Sequence, residues 1–261
     1  MKNFLHTKSK LKERLSSKQL TIGSWLTIPH QSIVEILSSA GFEWLTIDIE
    51  HSAINIETVQ GLISHIQAND MEALVRVSKN DEVIIKRVMD AGANGIIVPM
   101  IKSAEEAKQA VSWVKYPPKG TRGVGLSRAQ HYGVAFKEYT KWVQEESIVI
   151  AQIEHIEGVK NLSEILDVEG IDGIIVGPYD LSASMGKPGM FYDDDVKEVL
   201  AEIDRITTEK SKNLGFHVIE SNHQKVLDKV AKNYNLLAFS LDFFFLGDTA
   251  REQMKLLRSK L

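Results

Sequence analysis

Residues 148–180 read IVIAQIEHIEGVKNLSEILDVEGIDGIIVGPYD, and the order of apolar runs and polar stops in this stretch decides the fold. The first run, Ile148–Ile153, stops at Gln152 and Glu154. The second, Gly173–Val176, stops at Gly177-Pro178-Tyr179-Asp180. Short Ile/Val-rich runs bounded by Gly and Pro have the pattern of buried strands. A helical interval separates them, so the stretch is a βαβ unit. Parallel strands joined in this way end on the same edge of the sheet, and Glu154 and Asp180 therefore face one shared space. Two hard oxygen ligands from adjacent strand ends suit a divalent cation such as Mg²⁺, with water or substrate completing its shell. The competing reading is a pair of solvated loop acids.

The same rhythm extends in both directions. Further strands are predicted at Leu20–Leu26, Trp44–Ile49, Ala73–Val77, Gly95–Pro99, Leu214–Val218 and Leu236–Ser240. Helical spacing of apolar residues marks Ser32–Ala40, Ile56–Ala68, Asp81–Ala91, Ala104–Lys115 and Asp194–Lys210. A short amphipathic helix over residues 4–18 carries Phe4, Leu5, Leu11 and Leu15 near one face, and a last helix starts near Phe244. Two segments break the rhythm and read as irregular: Tyr116 to about Glu146, and Ser182–Asp193. Eight strands alternating with helices in 261 residues predict an α/β fold, a closed (β/α)₈ TIM barrel forming one domain over residues 1–261. An open doubly wound sheet is the alternative, but no G-x-G-x-x-G follows strand one.

Composition excludes several classes. A net charge of −4 argues against the basic face of a nucleic-acid binder. Without cysteine there is neither a disulfide framework nor thiolate chemistry. The opening MKNFLHTKSKLKERL is charged throughout, unlike a signal peptide, and no apolar stretch is long enough for a membrane span. A cytoplasmic protein with no nucleic-acid or membrane partner is expected.

Active sites of such barrels form at the C-terminal ends of the strands, and several predicted strands end in chemistry. Strand two supplies Asp48, Glu50 and His51, strand three Arg76, strand five Gln152 and Glu154, and strand six leads into Asp180. A carboxylate bonded to one nitrogen of His51 would raise the basicity of the other; a surface loop histidine is the alternative, and the other histidines receive that reading, with His155 ambiguous beside Glu154. Arg76 interrupts an apolar strand, so it either clamps a carboxylate or enolate of a ligand or pairs with a strand-end acid. Gly120-Thr121-Arg122-Gly123-Val124-Gly125 is a weak phosphate-loop signal, since it opens no helix after a strand. The run Phe243–Leu246 is too apolar for a solvated loop and is expected to pack against another helix or subunit.

Taken in order, Asp48-Ile49-Glu50-His51, Val75-Arg76, Gly95–Met100, Pro117-Pro118-Lys119-Gly120-Thr121-Arg122-Gly123, Gln152-Ile153-Glu154 and Gly177–Ser182 resemble the HpcH/HpaI aldolase family, class II pyruvate aldolases of the phosphoenolpyruvate/pyruvate superfamily. The resemblance spans about residues 20–250. It implies a metal site at Glu154 and Asp180 for Mg²⁺, Mn²⁺ or Co²⁺, pyruvate binding by Arg76, Gln152, Gly177 and Pro178, and acid/base work by His51 oriented by Asp48. It also implies a hexamer built from dimers with exchanged C-terminal helices, in which Asp90 reaches a neighbour's site. The chain departs from the family pattern at His155 and in the segment 127–136, which bears on the aldehyde.

The expected activity is reversible retro-aldol cleavage of a 4-hydroxy-2-oxo acid to pyruvate and an aldehyde. One rival is a lyase for an acyl-CoA such as malyl-CoA, which calls for a basic nucleotide groove that the sequence does not display. Another is a Schiff-base aldolase, which needs a desolvated lysine; no predicted strand interior holds one, and Lys79 and Lys102 lie beyond strand ends. The third is a non-catalytic keto-acid binding protein, which has no use for His51 beside a metal.

Overall fold

A computed structural model describes residues 8–261. Eight parallel strands close into one barrel in sequence order: β1 Thr21–Leu26, β2 Trp44–Asp48, β3 Glu72–Arg76, β4 Gly95–Val98, β5 Ile148–Ile153, β6 Gly173–Val176, β7 Asn213–Val218 and β8 Leu236–Leu241. The helices are α1 Lys10–Ser16, α2 Gln31–Ser39, α3 Ile56–Ala68, α4 Glu82–Asp90, α5 Ala104–Val114, α6 Phe136–Glu145, α7 Ile156–Lys160, α8 Leu162–Leu166, α9 Pro178–Ser184, α10 Asp194–Glu209, α11 His223–Val230 and α12 Asp242–Arg258. The predicted (β/α)₈ barrel is the fold observed.

Because strand side chains alternate, two hydrophobic layers form. Val75, Ile96, Val98, Val149, Ala151, Ile174 and Val176 meet the surrounding helices. Trp25, Trp44, Leu74, Ile97, Ile148, Ile150, Ile175, Leu236 and Ala238 fill the barrel interior. Leu11 and Leu15 of α1 belong to this inner cluster and are 2% and 1% exposed, so α1 plugs the end of the barrel opposite the strand C-termini. Phe4 and Leu5, placed on the same face from sequence, lie outside the described residues. Glycine is required where the wall is thinnest: a Cβ on Gly23 would sit 2.0 Å from the Trp44 ring.

The segment predicted as irregular after Tyr116 is ordered by packing. It holds a 3₁₀ turn at Arg128–Gln130 and the helix α6, with Tyr139, Trp142 and Val143 buried. Arg122 anchors it at 1% exposure, donating to the Val114 carbonyl at 2.9 Å and to the hydroxyls of Tyr116 and Tyr139 at 3.0 and 2.9 Å. It is an internal strut and no part of a phosphate loop. The second irregular segment begins with the last turn of α9, whose first turn carries Asp180.

Candidate active site

Inward alternation carries three of the predicted polar residues to the top layer of the barrel. Asp48 and Arg76 are register partners at the ends of β2 and β3, and Gln152 lies beside Ile175 between β5 and β6. Glu154 follows β5 directly, and Asp180 sits one helical turn beyond β6. Arg76, His51, Gln152, Glu154, Gly177, Pro178 and Asp180 all line one cleft of about 300 Å³ at the C-terminal face. The cleft walls are apolar, with Trp25, Ile175, Ile219, Leu241, Phe243 and Phe244.

Glu154 is only 2% exposed. Its Oε1 accepts from the Met100 amide at 2.8 Å and its Oε2 from the Gln152 side chain. Met100 holds φ at +56°, a left-handed conformation uncommon for such a side chain, and this turn is what aims its N–H at the carboxylate. Gly177 leaves room on the other side, since a Cβ there would lie 2.6 Å from Glu154 Oε2. Burial pushes the Glu154 carboxyl up, the two hydrogen bonds oppose it, and the charge of Asp180 adds to the rise. A cation between the two acids relieves both penalties.

The residues fit a hard divalent ion. Two carboxylates converge on the cleft, and Gln152 Oε1 is buried with no hydrogen-bond partner among the described residues. Among those residues no cluster of three or more His, Cys, Asp or Glu side chains forms a closed cage. An ion held by two carboxylates keeps positions for water or substrate, which is the habit of Mg²⁺ rather than of structural Zn²⁺.

Arg76 is paired more completely than a free ligand clamp would be. Its Nε and Nη2 grip Asp48 at 3.0 and 2.7 Å, and Glu50 Oε2 lies 3.3 Å from Nε. The guanidinium also stands over Trp25, 4.4 Å from the ring centre. Burial raises the Asp48 carboxyl, but the hydrogen bonds and charge of Arg76 outweigh it and hold it below the ordinary range. Of the two sequence readings of Arg76, the geometry shows the strand-end salt bridge, and that bridge holds the guanidinium at the cleft wall.

The expected carboxylate beside the His51 ring is corrected. Asp48 meets His51 through the backbone, accepting from the amides of Glu50 and His51 at 3.0 and 3.3 Å, while Arg76 takes up the rest of its carboxylate. Glu50 is the nearer acid to the ring, 3.6 Å from Nε2. Burial, opposed by Arg76 and reinforced by the charges of Glu154, Asp48 and Asp180, pushes Glu50 up to about 7. His155 accepts from the Glu157 amide at 3.1 Å and caps α7, and it is not among the residues lining the cleft. Asp90 ends α4 beside Arg122, 3.3 Å away, and is not a cleft residue of this chain.

His217 lines the cleft and escaped the sequence reading. Its signal is period two: Leu214, Phe216 and Val218 face the helices, so Asn213, Gly215 and His217 face inward. The two lysines that burial brings to about 8, Lys115 and Lys229, lie elsewhere. Lys115 donates to the Val143 carbonyl and Ser147 hydroxyl, and Lys229 rests on Phe216; neither reaches the cleft.

Residues 21–244 match the family model described as HpcH/HpaI aldolase/citrate lyase. A curated relative from Salmonella typhimurium, named 4-hydroxy-2-oxo-heptane-1,7-dioate aldolase, is 42% identical over 184 residues, 70% of each chain. Among solved structures, a HpcH/HpaI aldolase/citrate lyase family protein from Burkholderia cenocepacia superposes with a TM-score of 0.90 at 29% identity, covering 95% of this chain and 98% of the other. The citrate synthase SbnG superposes with a TM-score of 0.85 at 28% identity, covering 96% and 98%.

Proposed function

The chain belongs to the HpcH/HpaI aldolase/citrate lyase family, and from that premise we propose that its cleft cleaves a 4-hydroxy-2-oxo acid reversibly to pyruvate and an aldehyde, with a divalent metal. It is a carbon–carbon lyase. The observation that carries the reading is the convergence of Glu154, Asp180 and the unpaired Gln152 Oε1 beside Arg76 in one cleft.

Glu154 and Asp180 are assigned to the metal, which is Mg²⁺, Mn²⁺ or Co²⁺. A bound divalent ion supplies Lewis acidity where the pyruvate enolate develops. Arg76, locked by Asp48 and Glu50, places fixed positive charge at the same wall. Gly177 and Pro178 shape the pyruvate end, and Gln152 hydrogen-bonds there. His51, exposed at the rim with Glu50 beside it, takes the proton of the C4 hydroxyl as the C3–C4 bond breaks and returns one in the aldol direction. An acyl-CoA substrate is disfavoured, because Arg76 is the one arginine or lysine among the described residues lining the cleft and it is already paired.

Two parts of the proposal concern assembly. The exposed apolar residues of α12 support exchange of this helix between subunits of a hexamer. Asp90 is assigned to a neighbour's site in that assembly.

The test is chelation followed by metal return, with pyruvate release as the readout. Cleavage should vanish on chelation and return with Mg²⁺ or Mn²⁺. Full activity in rigorously chelated enzyme would overturn the assignment. Heat stability gives a second readout: saturating metal at about a hundred times Kd should stabilise the fold by about 2.7 kcal/mol, and Asp180→Asn should reduce that gain.

A further inference from the structure

Two polar atoms in the cleft wall are left over by this scheme. Trp25 Nε1, a donor, and His217 Nε2 are both buried and have no hydrogen-bond partner among the described residues. The two rings are neighbours, 5.0 Å between centres and tilted by 42°, and both line the cleft. Buried polar groups are rarely left unpaired, because each unmade bond costs about 1–3 kcal/mol.

The protonation state of His217 fixes what is missing. Its ring hydrogen-bonds to the Ser240 backbone, and since Nε2 has no partner, the nitrogen engaged there is Nδ1. Burial first, then the nearby Arg76 charge, push its pKa down to about 3, so the ring is neutral in ordinary buffers. A neutral ring with its proton on Nδ1 presents a lone pair at Nε2. The cleft wall thus offers one N–H donor and one acceptor on adjacent rings.

A hydroxyl group answers both, since it accepts from Trp25 and donates to His217 at once. A carboxylate cannot donate, and an alkyl group leaves both atoms unpaired. We propose that Trp25 and His217 recognise a hydroxyl on the aldehyde half of the substrate, so that the acceptor is a hydroxyaldehyde and the cleaved acid carries a hydroxyl beyond C4. The proposal rests on the aldolase reading above. Both nitrogens are out of contact with solvent while His217 as a residue is half-buried, so docking requires a shift of its ring toward the cleft. A distal carboxylate, such as a dioate aldolase would meet, finds no unpaired arginine or lysine among the described cleft residues.

The experiment measures aldol addition to pyruvate by the metal-loaded enzyme. The acceptors are glycolaldehyde and glyceraldehyde, their deoxy counterparts acetaldehyde and propionaldehyde, and succinic semialdehyde. The wild type should favour the hydroxylated acceptors in kcat/KM by roughly tenfold or more, the worth of one buried hydrogen bond. His217→Leu should collapse that ratio, acting through the KM of the aldehyde and not of pyruvate, and His217→Gln, which keeps an acceptor, should restore part of it. Trp25→Phe, which removes only the N–H and part of the ring, should also narrow it. A preference for succinic semialdehyde, equal rates for hydroxy and deoxy acceptors, or equal losses for all acceptors in His217→Leu would overturn the proposal. Should that variant not fold, the wild-type ratio and Trp25→Phe decide. An enzyme that condenses pyruvate with no aldehyde refutes the aldolase reading itself, a result distinct from a flat acceptor profile.

Discussion

Asp48 and Arg76 are 1% and 8% exposed, and such a pair is worth more broken than formed. Removing one partner strands a buried charge at a cost of about 3–5 kcal/mol, whereas replacing both is far milder. Arg76→Met should therefore destabilise strongly, and Asp48→Asn combined with it should recover much of the loss, measured as denaturant midpoints. Arg76→Lys keeps the charge but not the two-donor fork on Asp48. It should lower the rate with every aldehyde by a similar factor of about 10²–10³, since all substrates share the pyruvate half. Rates that merely follow the folded fraction would leave Arg76 a strut. Glu50 and His217 govern pH in opposite directions. Glu50 rises from 4.5 to about 7 on folding, so it binds its proton more tightly when folded. Its contribution is complete below about 4.5 and is lost as pH climbs to about 7. His217 falls from 6.5 to about 3, so its contribution is present above 6.5 and lost as pH falls toward 3. Across their overlap the slopes oppose each other. In chelated enzyme Glu50→Gln should remove the falling limb, so that stability rises more steeply toward neutral pH than in the wild type. Parallel urea midpoints for the two proteins across that range would refute the shift at Glu50.

Elements built from one strong period are legible in the sequence alone. Helix Ile56–Ala68 and the strands Ile148–Ile153 and Gly173–Val176 match their predicted bounds, because their patterns and caps point the same way. The segment after Tyr116 misled because Pro-Pro and four glycines between 120 and 133 announce a loop, while the burial that orders α6 depends on Arg122, a long-range partner invisible to local spacing. Site residues behaved likewise. Glu154, Asp180, Gln152 and Arg76 are anomalies at the ends of apolar runs and could be found one by one. His217 is the same kind of anomaly, but it lies inside β7, before Val218, rather than at the end of an apolar run. The Asp48–Arg76 grip, which hands the His51 ring to Glu50, follows from the register of β2 on β3 and not from spacing along the chain. Helix α1 offers a direct test of how an element far from the chemistry supports it. Leu15 fills the bottom of the barrel, so Leu15→Ala should cost about 2–5 kcal/mol while leaving KM for pyruvate unaltered in the folded fraction. A change in KM would mean that the plug transmits strain through the inner layer to the cleft.

At the scale of the whole molecule, α12 is the element that this chain alone explains least. The helix runs for 17 residues, and its only buried residue is Asp242. That carboxylate fastens the helix start, accepting from the Thr27 and Ile28 amides at 2.8 and 2.7 Å and from the Thr27 hydroxyl at 2.6 Å. Beyond that anchor, Leu246, Met254, Leu256 and Leu257 are about half exposed or more. A helix of this length is marginal in water without a packed face, and apolar residues gathered on one element mark an interaction surface. The same helix starts at the cleft, where Phe243 and Phe244 form part of the lining. A partner packed on α12 would therefore bear on the shape of the substrate site. Sedimentation should show an oligomer, the hexamer that the family resemblance implies, and Leu246→Glu with Leu257→Glu should shift it toward smaller species. Because Phe243 and Phe244 would lose their support, the dissociated form should bind its aldehyde less well while still binding metal, as read by calorimetry. A wild type that sediments as a monomer with α12 amides protected from hydrogen exchange would show that the helix stands without a partner, and would remove the case for its exchange.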